Sequence, residues 1–416
     1  KDAAATAIYG AQGANGVIII TTKDADTDSE DKMVIHADYS GYVGWKWLTK
    51  EMDVMDNREF MLMQYENAYL KGKLKDKFWP YFVKGYTSDD DPHINELLAG
   101  ANSLETTNWQ KETFGRTGFD SNHSISVSGG NKNGSFNLSY NRVDNKAIMY
   151  GSDYHRDNVA LKAKFKPVKG LTIAFNTRYT STRVDGAGTN TTKDAGSTSE
   201  SRLRNSVQYT PIELFSKDAG SLDDEESYGG LYDPKLTIDD NYKFKKDQKL
   251  NLNGYFSYKF AKYFTWRSEI GYDYRDVNTN RFYGKTTYLA RTNCPGQSAA
   301  VQTMEKYSTF RQTNTFNYNQ SINSAHNINV TIGEEILMNK GEIRTMNGVG
   351  YEGKLTGSEV FNQLSNCGST SYTNYINPKD NTLSFFFRGD YNYKSRYYAS
   401  VTFRADGSTR FAHKNQ

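Results

Sequence analysis

From Lys32 onward, apolar and polar residues alternate along the chain. In "SFNLSYN", Phe136, Leu138 and Tyr140 alternate with Asn137, Ser139 and Asn141. In "NVALKAKFK", Val159, Leu161, Ala163 and Phe165 stand opposite Lys162, Lys164 and Lys166. "LTIAFNTRY" places Leu171, Ile173, Phe175 and Tyr179 on one face. "LNLNGYFSYKF" sets Leu250, Leu252, Phe256, Tyr258 and Phe260 against Asn251, Asn253 and Lys259. "YFTWRSEIGYDY" sets Phe264, Trp266, Ile270, Tyr272 and Tyr274 against Arg267, Glu269 and Asp273. "HSISVSGG", "INVTI", "LSFFFRGDYNY" and "YYASVTF" continue the pattern. A period of two belongs to strands with one apolar and one polar face, and about eleven such strands are expected.

The connections alternate as well. Short ones fall at "GGNKNG" near Gly130, Lys166–Gly170, Phe260–Tyr263, Ile322–His326 and Tyr393–Arg396. Long ones run from Trp47 to Phe119, Asp144 to Tyr154, Val184 to Phe244, Asn278 to Glu305 and Asn339 to Asp380. Tight turns at one end and long loops at the other describe an up-and-down membrane barrel. A soluble sandwich gives no reason for every second connection to be long. Most strands reach the roughly 9–11 residues that a tilted strand needs to cross the hydrocarbon. Tyr255, Phe256, Tyr258, Phe260, Tyr263 and Phe264 gather at a turn, which fits an interfacial aromatic girdle. One helix interrupts the strands: "DNREFMLMQYENAYLKG" opens with Asp56 and Glu59 in capping-box spacing and closes at Gly72.

The start of the chain obeys other rules. In "ATAIYGAQGANGVIIITTK", an Ala-rich helix former stops at Gly10, and a loop with Gly13 and Gly16 follows. Val17 to Ile20 then reads as a strand buried on both faces. The spacing is not G-x-G-x-x-G and no strand precedes it, so a phosphate loop is disfavoured. "DADTDSEDK" reads as a solvated linker. As a calcium loop it has Ser29 where glycine and Ile35 where glutamate are required.

Composition changes the picture in two ways. Among 416 residues there are 31 Tyr and 22 Phe but only 7 Pro, which favours strands. The net charge of +3 gives no electrostatic case for nucleic acid. A mean hydropathy of −0.77 is compatible with a membrane barrel, since only alternate strand residues meet lipid. No apolar run approaches a membrane helix. The chain has no initiator Met or signal peptide at its start, and "FRADGSTRFAHKNQ" stops without closing an element. An internal piece of a longer polypeptide is therefore expected.

Enzyme chemistry is not indicated, and no metal or cofactor site is expected. The histidines at 36, 93, 123, 155, 326 and 413 are scattered, and neither H-E-x-x-H nor G-x-S-x-G occurs. Asp89–Asp91 and Asp223–Glu226 read as solvated loop faces. Cys294 and Cys367 fall in adjacent long loops, where an oxidising periplasm permits a disulfide.

Three blocks resemble SusC/RagA-type TonB-dependent outer-membrane transporters. "KDAAATAIYGAQGANGVIIITTK" resembles the end of that family's plug, with Ala4 for the usual Ser and Gln12 for the usual Arg. Asn108-Trp109, Gly129-Gly130-Asn131 and Tyr154-His-Arg156 match its early barrel. Arg404, Asp406, Gly407, Ser408, Arg410 and Phe411 match its mid-barrel R-x-D-G-S-S-R-F signature. The resemblance implies an all-β fold: about half of a 22-stranded transmembrane antiparallel β-barrel with the C-terminal part of a lumenal plug domain. The expected division is residues 1–23 as plug end, 24–31 as linker and 32–416 as the first barrel half. Tyr9, Gly10, Gly13, Asn15 and Gly16 carry the plug motif.

The resemblance further implies active import of a glycan or peptide across the outer membrane. A SusD-like surface lipoprotein would close the barrel, the TonB-ExbB-ExbD complex would supply energy, and transporter–lipoprotein pairs would dimerise in outer-membrane lipid. Outer-loop aromatics Trp79, Tyr81, Tyr228 and Tyr232 are candidate substrate or lid contacts, the alternative to substrate being loop packing against the lid lipoprotein. A passive porin, or a secreted carbohydrate-binding or adhesin β-protein, are the rival readings.

Overall fold

The alternating segments form one twelve-stranded antiparallel sheet in a computed structural model of the chain. The structure describes residues 10, 13, 16–18, 32–186, 202–215, 233–285, 287, 290, 293–323, 325–351, 355 and 357–411. The strands are β1 (Val34–Lys46), β2 (Gly118–Asn131), β3 (Gly134–Lys146), β4 (Asp153–Phe165), β5 (Leu171–Asp185) and β6 (Asn241–Tyr258). They continue as β7 (Phe264–Tyr283), β8 (Ser298–Ile322), β9 (His326–Tyr351), β10 (Ser369–Ile376), β11 (Asp380–Tyr393) and β12 (Tyr397–Ser408). Their order in the sheet is their order in the chain, except that β10 pairs the far half of one edge of β9 and β11 pairs the near half.

Each short connection expected from sequence is a hairpin turn at the same end of the sheet. In the β2–β3 turn, Asn131 Oδ1 accepts from the backbone N–H of Asn133 and Gly134. In the β11–β12 turn, Asn392 Oδ1 accepts from Ser395 N–H, beside Lys394 and Ser395 at positive φ. The long connections lie at the other end. Two of them are shorter than expected, because Asn278–Glu305 and Asn339–Asp380 are largely strand. β8 and β9 have 25 and 26 residues. At about 3.3 Å per residue such arms far exceed the roughly 25 Å apolar band of a membrane barrel. They project beyond it on the long-loop side.

The register sorts side chains into two faces with different chemistry. One face carries rows such as Leu138–Leu161, Tyr140–Val159–Tyr179–Leu250–Tyr274 and Trp266–Phe316–Ile332–Phe387–Phe403. Many of these rings and branched chains are exposed. A polar inset, Ser268–Asn314–Glu334, interrupts the band, and Asn314 Nδ2 donates to Glu334 Oε1 at 2.8 Å. One step toward the long loops the same face becomes charged, with Arg142, Asp144, His155 and Asp157 in one network. The Arg183–Asp185 and Arg344–Glu342 pairs lie at the same end. Apart from the Glu334 inset, charge begins where the apolar band stops, as expected where hydrocarbon gives way to headgroups.

The opposite face is mostly polar. Cross-strand amides and hydroxyls bond one another: Asn141 to Asn122, Thr180 to Asn158, Asn251 to Asp273, and Asn317 to Asn329 and Thr331. Polar ladders of this kind suit a water- or protein-filled interior.

The helix expected near residue 60 spans Asn57–Leu70, with Asp56 as N-cap. Glu59 N–H donates to Asp56 Oδ1 and Asp56 N–H to Glu59 Oε2, at 2.8 and 3.1 Å. Gly72, at φ +65°, closes it. With the short helices Leu74–Lys77, Trp79–Phe82 and Ile94–Gly100 it forms a small cap at the long-loop end. The core of the cap is Phe60, Met61, Phe78, Phe82 and Leu98, joined by Ile212 from the β5–β6 connection.

Candidate functional site

Among the charged groups of the polar face, one cluster knits β9, β11 and β12 together. Residues two apart on a strand share a face, so Arg404 and Asp406 both point to the polar side of β12. Glu335, Ser384 and Asp406 form a cross-strand row over β9, β11 and β12. Arg404, one row away, reaches all three. Its Nη2 donates to Glu335 Oε1 and Ser384 Oγ, each at 2.9 Å, and its Nε donates to Asp406 Oδ1 at 2.7 Å. The guanidinium also lies 5.7 Å from the centroid of the Phe386 ring. That ring crosses Gly333, where a Cβ would fall 2.3 Å from Phe386 Cζ, so only glycine fits there. Although charged, the Arg404 side chain is only 9% exposed.

Gly10 lies against this cluster. A Cβ at Gly10 would stand 2.9 Å from both Arg404 Nε and Asp406 Oδ2, and its φ is +67°. Both facts select glycine: L side chains avoid that conformation, and no room exists for one. Gly16, at φ +104°, donates its N–H to Gly13 O at 2.9 Å, closing a short turn, and Gly13 is buried. The plug-motif positions Tyr9 and Asn15 lie outside the described residues.

The cap contradicts one expectation from sequence. Trp79 and Tyr81 are only 7% and 6% exposed and belong to the cap core. The Trp79 ring packs 4.8 Å from Phe78 and 5.8 Å from Tyr65. Both are therefore packing residues of the loop itself and offer no open face to substrate or lid. The apolar spacing of "FWPYF" builds a one-turn helix whose rings turn inward. Tyr228 and Tyr232 lie outside the described residues.

The cap bounds a cavity of about 710 Å³ that sequence reading did not anticipate. Its walls are the extended segment Glu51–Met55, the Asn57–Leu70 helix, residues 106–110 and the Arg202–Gln208 helix. Gln110 holds the extended segment in place. Its Oε1 accepts from Met52 N–H and its Nε2 donates to Met52 O, both at 2.8 Å. Trp109 Nε1 donates to Thr210 O at 2.7 Å, and the Trp109 ring meets Tyr209 edge-on. Burial, with Asp233 nearby, pushes the Tyr209 phenol up to about 12. The cluster of Met52, Met55 and Met63 was the signal available in the sequence, but only Met63 lies on the helix, and Met52 and Met55 join it only through the extended segment before it.

The disulfide that the sequence left open is not formed: Cys294 and Cys367 are both free. Cys294 packs with Tyr283 and Ala299, whereas Cys367 packs with the cluster around Phe282, Ala300 and Tyr351. Phe282 and Tyr283 are successive strand residues, so the two thiols sit on opposite faces of the sheet. Of the acidic runs, Asp90 is used by its own turn, accepting from Thr87 N–H and Thr87 Oγ1. Asp223–Glu226 lies outside the described residues.

A continuous antiparallel wall, apolar outside, polar inside, with turns at one end and long loops at the other, is the wall of a transmembrane β-barrel. Comparison with known proteins narrows this class. The chain is 24% identical to the TonB-dependent receptor P3 of Formosa agariphila, with 100% of this chain aligned to 37% of that protein. It is 26% identical to the TonB-dependent receptor P39 of the same organism over 99% of this chain and 36% of that one. It is 25% identical to the TonB-dependent receptor SusC of Bacteroides thetaiotaomicron over 100% of this chain and 38% of SusC. Structures of the RagAB peptide importer in its closed-closed and open-open states share the fold. Each has a TM-score of 0.70, at 19% and 20% identity, over 100% of this chain and 46% of theirs. No family model matches the chain. The resemblance to SusC/RagA-type TonB-dependent transporters therefore extends over the whole chain, which spans somewhat over a third of the length of these curated relatives. These relatives are TonB-dependent receptors and a peptide importer.

Proposed function

We propose that the protein imports a large nutrient, a glycan or a peptide, across the bacterial outer membrane by TonB-dependent active transport. In this reading residues 1–23 end a plug domain inside the lumen, 24–31 link it to the wall, and 32–416 form the first half of the barrel. A SusD-like lipoprotein covers the long-loop end, the TonB-ExbB-ExbD complex acts on the plug, and transporter–lipoprotein pairs dimerise. Unpaired edges of β1 and β12 cannot face hydrocarbon, so further strands close the wall in the working protein.

The observation that supports this best is Gly10 seated on Arg404 and Asp406 of the polar face. An open porin needs no such segment in its lumen. No covalent chemistry is required, since transport by a plugged barrel is binding and gating. The test is uptake of the nutrient by cells expressing the full-length transporter, before and after collapse of the proton-motive force. Uptake is expected to stop on collapse. Unchanged uptake would make the protein a passive channel.

A further inference from the structure

The cavity under the cap carries a more specific inference. Its apolar wall is unusually open: Met52 is 59% exposed, Val54 55%, Met55 49% and Met63 36%. Contiguous exposed apolar side chains of this kind mark binding surfaces. Methionine is unbranched and polarisable, and it adapts to side chains of differing shape. The volume, about 710 Å³, lies in the range of small-ligand sites and exceeds what a single side chain fills. On the extended segment, Asp53 is exposed and has no ion pair or hydrogen bond among the described residues. The segment itself is fixed by the two Gln110 bonds, so these groups are held before a ligand arrives.

We propose that this cavity binds the amino-terminal portion of a short peptide, with apolar side chains against Met52, Met55 and Met63 and the free amine at Asp53. A saccharide fits the chemistry poorly. Sugar rings stack on open aromatic faces, and of the rings here Phe60 is buried while Trp109 and Tyr209, both half-buried, meet edge to face and so present no flat platform made by the pair. A lipid chain would use the methionines but gain nothing from Glu51, Asp53 and Arg204, the charged groups that also line the cavity. The inference rests on the import reading for its biological purpose, and it selects peptide over glycan.

Binding is measured on the purified full-length transporter, without energisation, by calorimetry. The probes are the tetrapeptide Leu-Phe-Leu-Ala, its N-acetyl form and maltotetraose. The free tetrapeptide is expected to bind and maltotetraose not to bind or compete. Met55→Glu with Met63→Glu is expected to weaken peptide binding about tenfold or more, and Met55→Leu to retain it. Asp53→Asn is expected to erase the preference for the free amine over the acetylated form. Both methionines are solvent-accessible, so these variants keep the fold. Maltotetraose displacing the peptide, or unchanged affinity in the double variant, overturns the proposal. Energy-dependent uptake is read separately, so either result leaves the import reading to its own test.

Discussion

At the scale of single residues, one arginine organises the β9–β12 end of the polar face. Arg404 neutralises Glu335 and Asp406 together and lies over Phe386, and Gly10 of the N-terminal motif lies against this group. Any side chain at Gly10 must therefore displace the cluster or the segment, and at φ +67° it also costs roughly 1–2 kcal/mol of backbone strain. Gly10→Ala and Arg404→Ala are both expected to loosen the segment and raise the passive conductance of the full-length protein in planar bilayers. Arg410→Ala, on an exposed pair with Asp380, is the control and is expected to leave conductance low. Equal, low conductance in all three would mean that the cluster does not hold the segment. The glycines were legible in the sequence as places of close backbone approach, and Arg404-x-Asp406 was legible as a signature. What joins them was not, because Glu335 and Ser384 come from strands whose register only pairing decides.

At the scale of elements, the strands were the most legible part, since alternation depends on nothing beyond the two faces of a strand. The capped helix Asn57–Leu70 was equally legible, because its signals are local. Strand ends at the loop side were not. In β9 the outer face turns from apolar to charged partway along, at Lys340, Glu342 and Arg344, and sequence reading took that part for loop. This change along a single strand makes the cost of a charge depend on height. On the outer face of β6, Leu252 lies in the apolar band between Thr177 and Tyr272, whereas Gln248, two outward positions further along, donates to Tyr179 Oη at 2.5 Å. Leu252→Arg is expected to destabilise the full-length barrel by about 2–4 kcal/mol and Gln248→Arg by about 0–1 kcal/mol. Urea unfolding in lipid vesicles reads both. Equal penalties would place the band elsewhere.

At the scale of the whole molecule, the wall and the cap divide the work. The wall separates lipid from lumen by side-chain alternation, while the cap gathers the segments around residues 57–104 and 202–212 into a small core of its own. That core explains why the aromatic residues Trp79 and Tyr81 read as surface contacts in the sequence yet lie buried: loops in a polar context can still fold around their own rings. The cavity escaped sequence reading for a related reason, since two connections far apart in the chain must meet to enclose it. The claim on which everything else stands is that the apolar face of the sheet meets lipid and the polar face meets the lumen. Single cysteines placed along β6 of the full-length protein in its native membrane test it most directly, read by quenching of an attached fluorophore with a lipid-phase quencher. Positions 250, 252 and 256 are expected to be quenched and 251, 253 and 255 protected, in strict alternation. Uniform quenching, or an absence of quenching at both sets, would contradict the account.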